Sequence, residues 1–519
     1  MTDPVETPPV PPVPPAAGVE LADGEWHRLH PATPLLRGGI ALIAVAGIII
    51  ANLRERLLDF FIGIPGYEGD PIDFLIAEGL VPLALVVVLV AIALFVAGFY
   101  LSWRMHTFRI TDETVEVRSG ILFRTNRRGR LDRIQGINIV RPFFARLFGA
   151  ARLEISVAGN DGNVKLDYLS SANADALRRE ILRRASGTKE RTAAAPAAAA
   201  SNGRLVEQRV AELIAPELDP SLAPPTSVVT MHPLRLFAST ILSTGFIFFI
   251  LLLTAGIVAA TLSRELFAFF GIVPALLGIG SYLVNRIVKS LRYSIAATPD
   301  GVRVGYGLLS TSNETLPPGR IHSIAVRQQL LWRPADWWEV HVNRASQSSA
   351  QGAAGQRNTT ILPVGSRADV IKVLELVLPD LLEGDRRALV EAGLEPAREG
   401  DGYTTSPRRA AVTHWFSWRR NGFALQPDAV VLRRGRVWRE LVVVPTPRMQ
   451  SVALYQGPLG KLLRLVSVQI HTVAGPITAR ISGLDAEDGS AFFRDVAATA
   501  VAAAKVDQTH RWRSGESLA

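Results

Sequence analysis

Four long stretches of this chain carry almost no charge, and the segments between and after them change to a short alternation of apolar and polar positions. Leu35 to Leu53 is apolar apart from Arg37. Leu80 to Trp103 and Leu266 to Val284 carry no charge, and Leu234 to Leu262 carries only Arg235. About 20 apolar residues in a helix cross a bilayer, and a soluble helix rarely stays apolar on every face for so long. The pattern therefore predicts four transmembrane helices paired into two hairpins. Elsewhere the period falls to two. Phe108 and Ile110, then Val115 and Val117, flank T111-D-E-T. Ile295 and Ala297, then Val302 and Val304, flank T298-P-D-G. Phe423 and Leu425, then Val430 and Leu432, flank Q426-P-D-A. Each reads as two strands joined by a turn. Further strands are predicted over 134–140, 153–157 and 164–169. A helix closes each segment, over 172–184 with Leu177, Ile181 and Leu182 on one face, over 366–382 opened by the capping pattern S366-R-A-D, and over 488–504 with Phe492 and Val496 inward.

The alternating segments are three copies of one module. Gly120 to Arg133, Gly307 to Arg320 and Gly435 to Arg448 are the same thirteen residues apart, and the text after each arginine matches: I134-Q-G-I, I321-H-S-I and M449-Q-S-V. Thirteen residues further stand Arg146, Arg333 and Lys461, followed by the apolar pairs Leu153/Ile155, Val340/Val342 and Val468/Ile470. A register held without a gap marks an internal repeat. The glycine is expected to begin a turn with positive φ. The arginine is expected to bridge a strand end or meet a carboxylate, with a ligand-binding set as the alternative.

Several antiparallel strands closed by one helix make a small barrel or sandwich with a helical plug. The expected fold class is a multidomain membrane protein of two transmembrane α-helical hairpins and three such β domains. Its organisation is a Pro-rich disordered tail (1–33), hairpin 1 (34–103), domain 1 (104–185), a linker (186–230), hairpin 2 (231–288), domain 2 (289–383), a linker (384–413), domain 3 (414–504) and a tail (505–519). The linkers are rich in Ala, Pro, Gly, Arg and Glu.

The modules resemble the bacterial pleckstrin-homology-like domain of membrane proteins (YdbT-like). The resemblance is carried by the hydrophobic hairpin, S119-G-I-L-F-R, R133-I-Q-G-I, R146-L-F-G-A-A-R-L-E-I and the closing helix. In the third copy it is carried by L441-V-V-V-P-T-P-R-M-Q-S-V and G457-P-L-G-K-L-L. The second copy departs, with W332-R-P-A-D-W-W in place of R146-L-F-G and an insertion, S346-Q-S-S-A-Q-G. The resemblance implies a PH-like fold for all three modules and leaves activity open.

Charge orients the hairpins. The first loop holds Glu55, Asp59, Glu68, Asp70, Asp73 and Glu78 against Arg54 and Arg56, whereas Arg104, His106 and Arg109 follow the second span and Arg286, Lys289 and Arg292 the fourth. Basic flanks stay cytoplasmic, so both termini and all modules are expected inside, on a bacterial plasma membrane. The net charge is +9, with no cysteine, which excludes disulfides, thiolate catalysis and cysteine-bound zinc.

No metalloprotease, nucleophile-elbow, Walker or dinucleotide motif occurs, and His322, His341 and His471 read as satisfied strand residues. No ionisable residue stands at the middle of a span, where transporters carry functional charge. Ser239, Thr240, Ser243 and Thr244, with Gly271, Ala275, Gly278 and Gly280, read as helix packing. The expectation is a non-enzymatic scaffold, without cofactor, metal or nucleic acid. It would serve protein partners, self-assembly or anionic lipid headgroups. The alternative is a transport component whose modules regulate a helical pore. The candidate lipid contacts are Arg127, Arg128 and Arg130 in R124-T-N-R-R-G-R, and Arg433, Arg434 and Arg436 in R433-R-G-R. Each would gain about 1 kcal/mol beside an anionic leaflet.

Overall fold

The computed structural model describes residues 21–31, 33, 36, 78–120, 124–157, 163–186, 229–263, 267–298, 301–308, 310–317, 319–345 and 359–506. They fall into two compact units. One comprises residues to 131 with 144–154 and 164–184, and the other comprises 132–143, 155–163 and 185–519.

The first unit contains a long apolar helix, α1 (Val81–Arg104), and an antiparallel sheet β1 (His27–Arg28), β2 (Thr107–Ile110), β3 (Thr114–Ser119) and β4 (Thr125–Arg130), hydrogen-bonded in that order. Most of β6 (Ala150–Val157), β7 (Val164–Ser170) and the closing helix α3 (Ser171–Ser186) belong to it too. Phe108, Ile110, Val115, Leu177 and Ile181 are fully buried, as their alternation predicts. The described end of the stretch read as a disordered tail is structured instead. His27 pairs with Phe108, Leu29 is buried, and the Leu29 carbonyl accepts the Trp103 indole N–H at 3.1 Å. Trp26 adds to these contacts, its ring lying against the guanidinium groups of Arg109 and Arg118, 4.9 and 4.0 Å away.

The second unit shows the repeat most fully. In module 2, a short strand β8 (Val229–Thr230) precedes the helices α4 (Pro233–Ile241), α5 (Thr244–Ser263) and α6 (Phe267–Ser290). Then come β9 (Ser294–Thr298), β10 (Gly301–Tyr306) and β11 (Thr311–Leu316), a second set β12 (Ile321–Gln328), β13 (Trp337–Arg344) and β14 (Thr360–Ser366), and the helix α7 (Arg367–Val377). In α7 the capping box of Ser366 and Asp369 forms as its pattern predicts. Module 3 repeats the order. A short strand β15 (Thr404–Thr405) and a one-turn helix α9 (Ala411–His414) lead into β16 (Gly422–Leu425), β17 (Ala429–Arg434) and β18 (Arg439–Pro445). Then follow β19 (Ser451–Tyr455), the helix α10 (Pro458–Leu463), β20 (Leu465–His471), β21 (Ala479–Asp485) and the closing helix α11 (Ala486–Val506).

The modules are not closed barrels. The first sheets of modules 2 and 3 each continue into the second sheet of the module before. β18 of module 3 pairs with β12 of module 2, giving the seven-stranded order β14-β13-β12-β18-β17-β16-β15. β11 of module 2 likewise pairs with β5 (Ile134–Arg141) of module 1. One hydrophobic core runs through the second joint, where Ile324 and Val326 meet Leu441 and Val443.

Two further expectations are corrected. Residues 384–413 are not a bare linker. They hold α8 (Asp385–Leu394), with Val390 and Leu394 fully buried, and β15, which pairs with β16. The helix escaped a composition-based reading because only one stripe among D385-R-R-A-L-V-E-A-G-L is apolar. Residues 234–262 are not one straight span. The helix breaks between α4 and α5 with a bend of 49°. The hydroxyls of Ser239 and Thr240 donate to the Leu236 carbonyl and that of Ser243 to Thr240, side-chain to backbone bonds of the kind that bend helices. Among the described helices, Ile272–Ser290 is long and apolar enough to cross a bilayer, and the bent pair would make a second crossing. α5 and α6 pack closely: a Cβ on Gly256 would stand 2.9 Å from the Ile272 side chain. The first predicted span, 35–53, and most of its acidic loop lie outside the described residues.

The repeat glycines adopt one conformation, with φ of +107° at Gly120, +105° at Gly307 and +76° at Gly435. A side chain at Gly307 would run into the carbonyl oxygen of Ser310, and one at Gly435 into that of Trp438, three residues on in both cases. Gly435→Ala is therefore expected to destabilise the chain by about 1–3 kcal/mol, read as a lowered denaturant midpoint. Ala substitution at Gly457, where φ is negative and nothing stands within 4 Å, should leave the midpoint nearly unchanged.

Candidate membrane-facing site

The three modules share one insertion point, between the short leading strand and the first long strand. Module 1 has α1 there, module 2 has α4 to α6, and module 3 has only the segment around α9. In module 2 the root of the hairpin is gripped by the turn Leu330–Ala335, between β12 and β13. Trp332 is fully buried against Leu236 and Leu242, and its indole donates to the Ser239 carbonyl at 3.0 Å. The Gln329 side-chain oxygen accepts the Thr244 N–H at 3.1 Å, at the first residue of α5. The turn thus stands where the apolar helix begins, with Leu330 and Leu331 exposed beside it.

The equivalent turn of module 3 is α10. Arg409 ties the α9 segment to it, donating to the Leu463 carbonyl at 2.8 Å. Five large apolar side chains are exposed on these two neighbouring pieces: Val412, Trp415, Phe416, Leu459 and Leu462, with Trp415 at 68% and Leu462 at 79% exposure. Arg408, Arg409, Arg419, Lys461 and Arg464 belong to the same segments. In module 1 the turn is α2 (Phe143–Leu147), where Phe143, Phe144, Leu147 and the following Phe148 are exposed around Arg146. Apolar side chains ringed by arginine and lysine suit the boundary between headgroups and acyl chains, where tryptophan is also favoured. The basic position thirteen residues past each repeat arginine was the available signal. Its apolar neighbours, F143-F-A-R-L-F, L330-L-W-R and L459-G-K-L-L, carry no signal of their own, because exposure cannot be read from so short a run.

The arginine runs separate. Arg433 is fully buried. It pairs with Asp401, donates to the Arg420 carbonyl and lies over the Tyr403 ring at 4.3 Å. Burial opposes ionisation of Asp401, but the hydrogen bond from Arg433 and those from the Arg398 and Tyr403 N–H groups outweigh it and hold the carboxyl below its usual range. Beside this pair, burial and the charges of Arg433 and Arg439 push Arg420 down to about 9. Arg434 is engaged by Glu440 and the Arg480 carbonyl. Arg433 is therefore no lipid contact, since its guanidinium faces the interior, and Arg434 is committed within the protein. Arg436 is exposed. Arg127, Arg128 and Arg130 are exposed on β4. Arg128 shares the buried Glu116 with Arg109; burial opposes that charge, and the two arginines still hold the carboxyl low.

The repeat arginines stand at strand entries rather than within strands. Arg133 ends the 3-10 turn Leu131–Arg133, Arg448 ends Thr446–Arg448, and Arg320 immediately precedes β12. Arg320 donates to the Asp132 carbonyl at 3.0 Å, across the joint to the preceding module. Arg448 lies beside His322 of module 2, whose imidazole is pushed down to about 4 by burial, Arg448 and Arg320, and so is neutral near pH 7. Arg320 and Arg448 thus stand at the joints between modules. Among the described residues no group of three histidines or carboxylates is placed to hold a metal ion.

Two antiparallel sheets and a closing helix, with a positive-φ glycine before the third strand of the first sheet, define a pleckstrin-homology-like module. The family model of the bacterial PH domain matches residues 60–185, 245–380 and 402–500, most of the chain in three successive copies, and the chain belongs to that family. The third match begins just ahead of β15, in agreement with the short leading strand as part of the module. Among curated proteins no sequence matches the chain significantly.

Proposed function

We propose that this chain is a non-enzymatic, membrane-anchored scaffold of the YdbT-like kind. Its three PH-like modules stand on the cytoplasmic face of a bacterial plasma membrane, and module 3 rests on the lipid surface through Val412, Trp415, Phe416, Leu459 and Leu462. The observation that carries this reading is the common insertion point. Where modules 1 and 2 hold apolar helices, module 3 holds an exposed apolar tip with basic residues around it. Such a tip gains from burying apolar area in the acyl boundary and from attraction of its basic residues to anionic lipid. The joined sheets supply a rigid platform for partners, and no catalytic role is needed for any residue described above.

The absence of cysteine makes the test direct. With Trp415→Cys as the sole thiol, a polarity-sensitive fluorophore attached there is expected to be quenched by brominated acyl chains in vesicles containing anionic lipid. An unquenched label removes the lipid contact of module 3. Replacing Phe416 and Leu462 by serine should weaken the quenching.

A further inference from the structure

Arg333, Arg420, Arg436 and Arg439 gather at the joint of modules 2 and 3, around the tight connection 435–438 that the positive-φ glycine opens between β17 and β18. Arg333, from the turn that grips the hairpin root, donates to the Val437 carbonyl at 2.8 Å. Arg420 donates to the carbonyls of Arg434 and Gly435 at 2.7 and 3.3 Å. Arg436 lies within the connection and is exposed. Arg439 follows it and donates across the joint to the Gln328 side-chain oxygen at 3.3 Å. The neighbouring carboxylates are committed to other arginines: Asp401 to Arg433, Glu440 to Arg327 and Arg434, and Asp336 to Arg367. Among the described residues none of the four forms an ion pair.

The cluster lacks a countercharge. Burial, then the charges of Arg439 and Arg436, hold Arg333 below its ordinary value. Arg420, 4% exposed, is lowered by burial and then by Arg433 and Arg439. The Nε donors of Arg333 and Arg420 are buried with no hydrogen-bond partner among the described residues. Unpaired buried donors and crowded like charges are both costly, and an added anion offsets both. The position is also particular. In module 2 the connection after the repeat glycine lies on the end of the apolar hairpin, where the Gly307 and Leu308 N–H groups donate to the Leu291 and Val288 carbonyls at 2.8 and 3.2 Å. In module 3 Trp438 is exposed on the matching connection, and Leu330 and Leu331 are exposed in the turn that holds Arg333.

We propose that this joint is a binding site for a phosphoryl group, with Arg333, Arg436 and Arg439 donating to its oxygens and Arg420 adding its charge close by. Guanidinium groups match the spacing of phosphoryl oxygens and bind them through paired, charge-assisted hydrogen bonds. The group has two sources, the headgroup of an anionic phospholipid and free inorganic phosphate. The lipid source rests on the membrane reading above, and the free phosphate does not. Module 2 has no counterpart of the site, because Leu308 and Thr311 stand where module 3 has Arg436 and Arg439.

Isothermal titration of the full chain in a mild uncharged detergent tests it, with inorganic phosphate and short-chain phosphatidylglycerol as separate probes. Saturable binding of inorganic phosphate identifies the free anion as a source. Binding of phosphatidylglycerol that inorganic phosphate fails to displace identifies the lipid, and either result supports the site. Arg436→Gln removes no hydrogen bond among the described residues and should weaken the bound probe about tenfold, the loss of one hydrogen bond to a charged group. Arg333→Gln combined with Arg439→Gln should weaken it further. Arg494→Gln, the same change of charge at an exposed position of α11, should leave binding unchanged. Binding of neither probe, binding by Arg436→Gln equal to that of the unaltered chain, or an equal loss in Arg494→Gln would each overturn the proposal. Should the Arg333 and Arg439 variant fail to fold, Arg436→Gln still decides. Phosphate binding without quenching at Trp415 would fail the membrane reading alone, and quenching without binding of either probe would fail the site alone.

Discussion

Arg433→Met is expected to destabilise module 3 by about 3–5 kcal/mol, the cost of breaking a buried ion pair from one side. The substitution leaves Asp401, 8% exposed at its side chain, facing Tyr403 with no countercharge. Denaturant unfolding in detergent should show the loss as a shifted midpoint, and Asp401→Leu added to Arg433→Met should recover part of it by removing the orphaned carboxylate. The pH dependence carries the sign. In the unaltered chain Asp401 titrates below its ordinary value of 3.8, so its stabilisation is fully present above about pH 4 and is lost as pH falls through the depressed value. In Arg433→Met burial is opposed only by the Arg398 and Tyr403 N–H groups, so the carboxyl should titrate higher than in the unaltered chain. The stability lost on acidification through Asp401 should then be smaller than in the unaltered chain. A variant as stable as the parent, or one with an unchanged pH slope, would show that the pair contributes nothing to the fold.

Trp332→Ala is the second large effect. Truncating a fully buried tryptophan typically costs about 3–5 kcal/mol, and here the cavity opens between module 2 and the root of its hairpin. Hydrogen exchange should accelerate at Leu236 to Thr244, whose contacts include the indole and the neighbouring Gln329. Trp332→Phe keeps most of the volume and loses only the bond to the Ser239 carbonyl, so a smaller cost of about 1–3 kcal/mol is expected. Equal losses for the two variants would mean that volume is irrelevant at this site.

What the amino-acid pattern made legible was local. The hairpin strands around the Pro-Asp turns, the positive-φ glycines, the capped helix after Ser366 and the closing helices each follow from spacing within a few residues. The joints were hidden because β5 finds its partner some 170 residues later, through backbone groups that no side-chain pattern records. Arg433 and Arg436 sit three residues apart in one basic run, yet one is interior and the other exposed. The difference arises from Asp401 and Tyr403, contributed by a segment whose composition reads as a connector. Leu432 and Arg433 are both buried because β17 is covered on both faces, and alternation carries no information where there is no solvent side. The apolar tip of module 3 failed to register for a related reason: W415-F and L459-G-K-L-L are too short to distinguish surface from core.

The shared sheets also set an order of events during synthesis. β5 is complete once Arg141 has been made, but its neighbour β11 ends at Leu316. At about 5–20 residues per second the ribosome needs roughly 9–35 s to cover that interval, and the second hairpin is made within it. Through that time a nascent module 1 carries an open strand edge beside other nascent chains, and β12 waits in the same way for β18. Early release from the ribosome before residue 316 is therefore expected to yield aggregates rather than a soluble single module, and β12 keeps the same hazard until β18 is complete at Pro445.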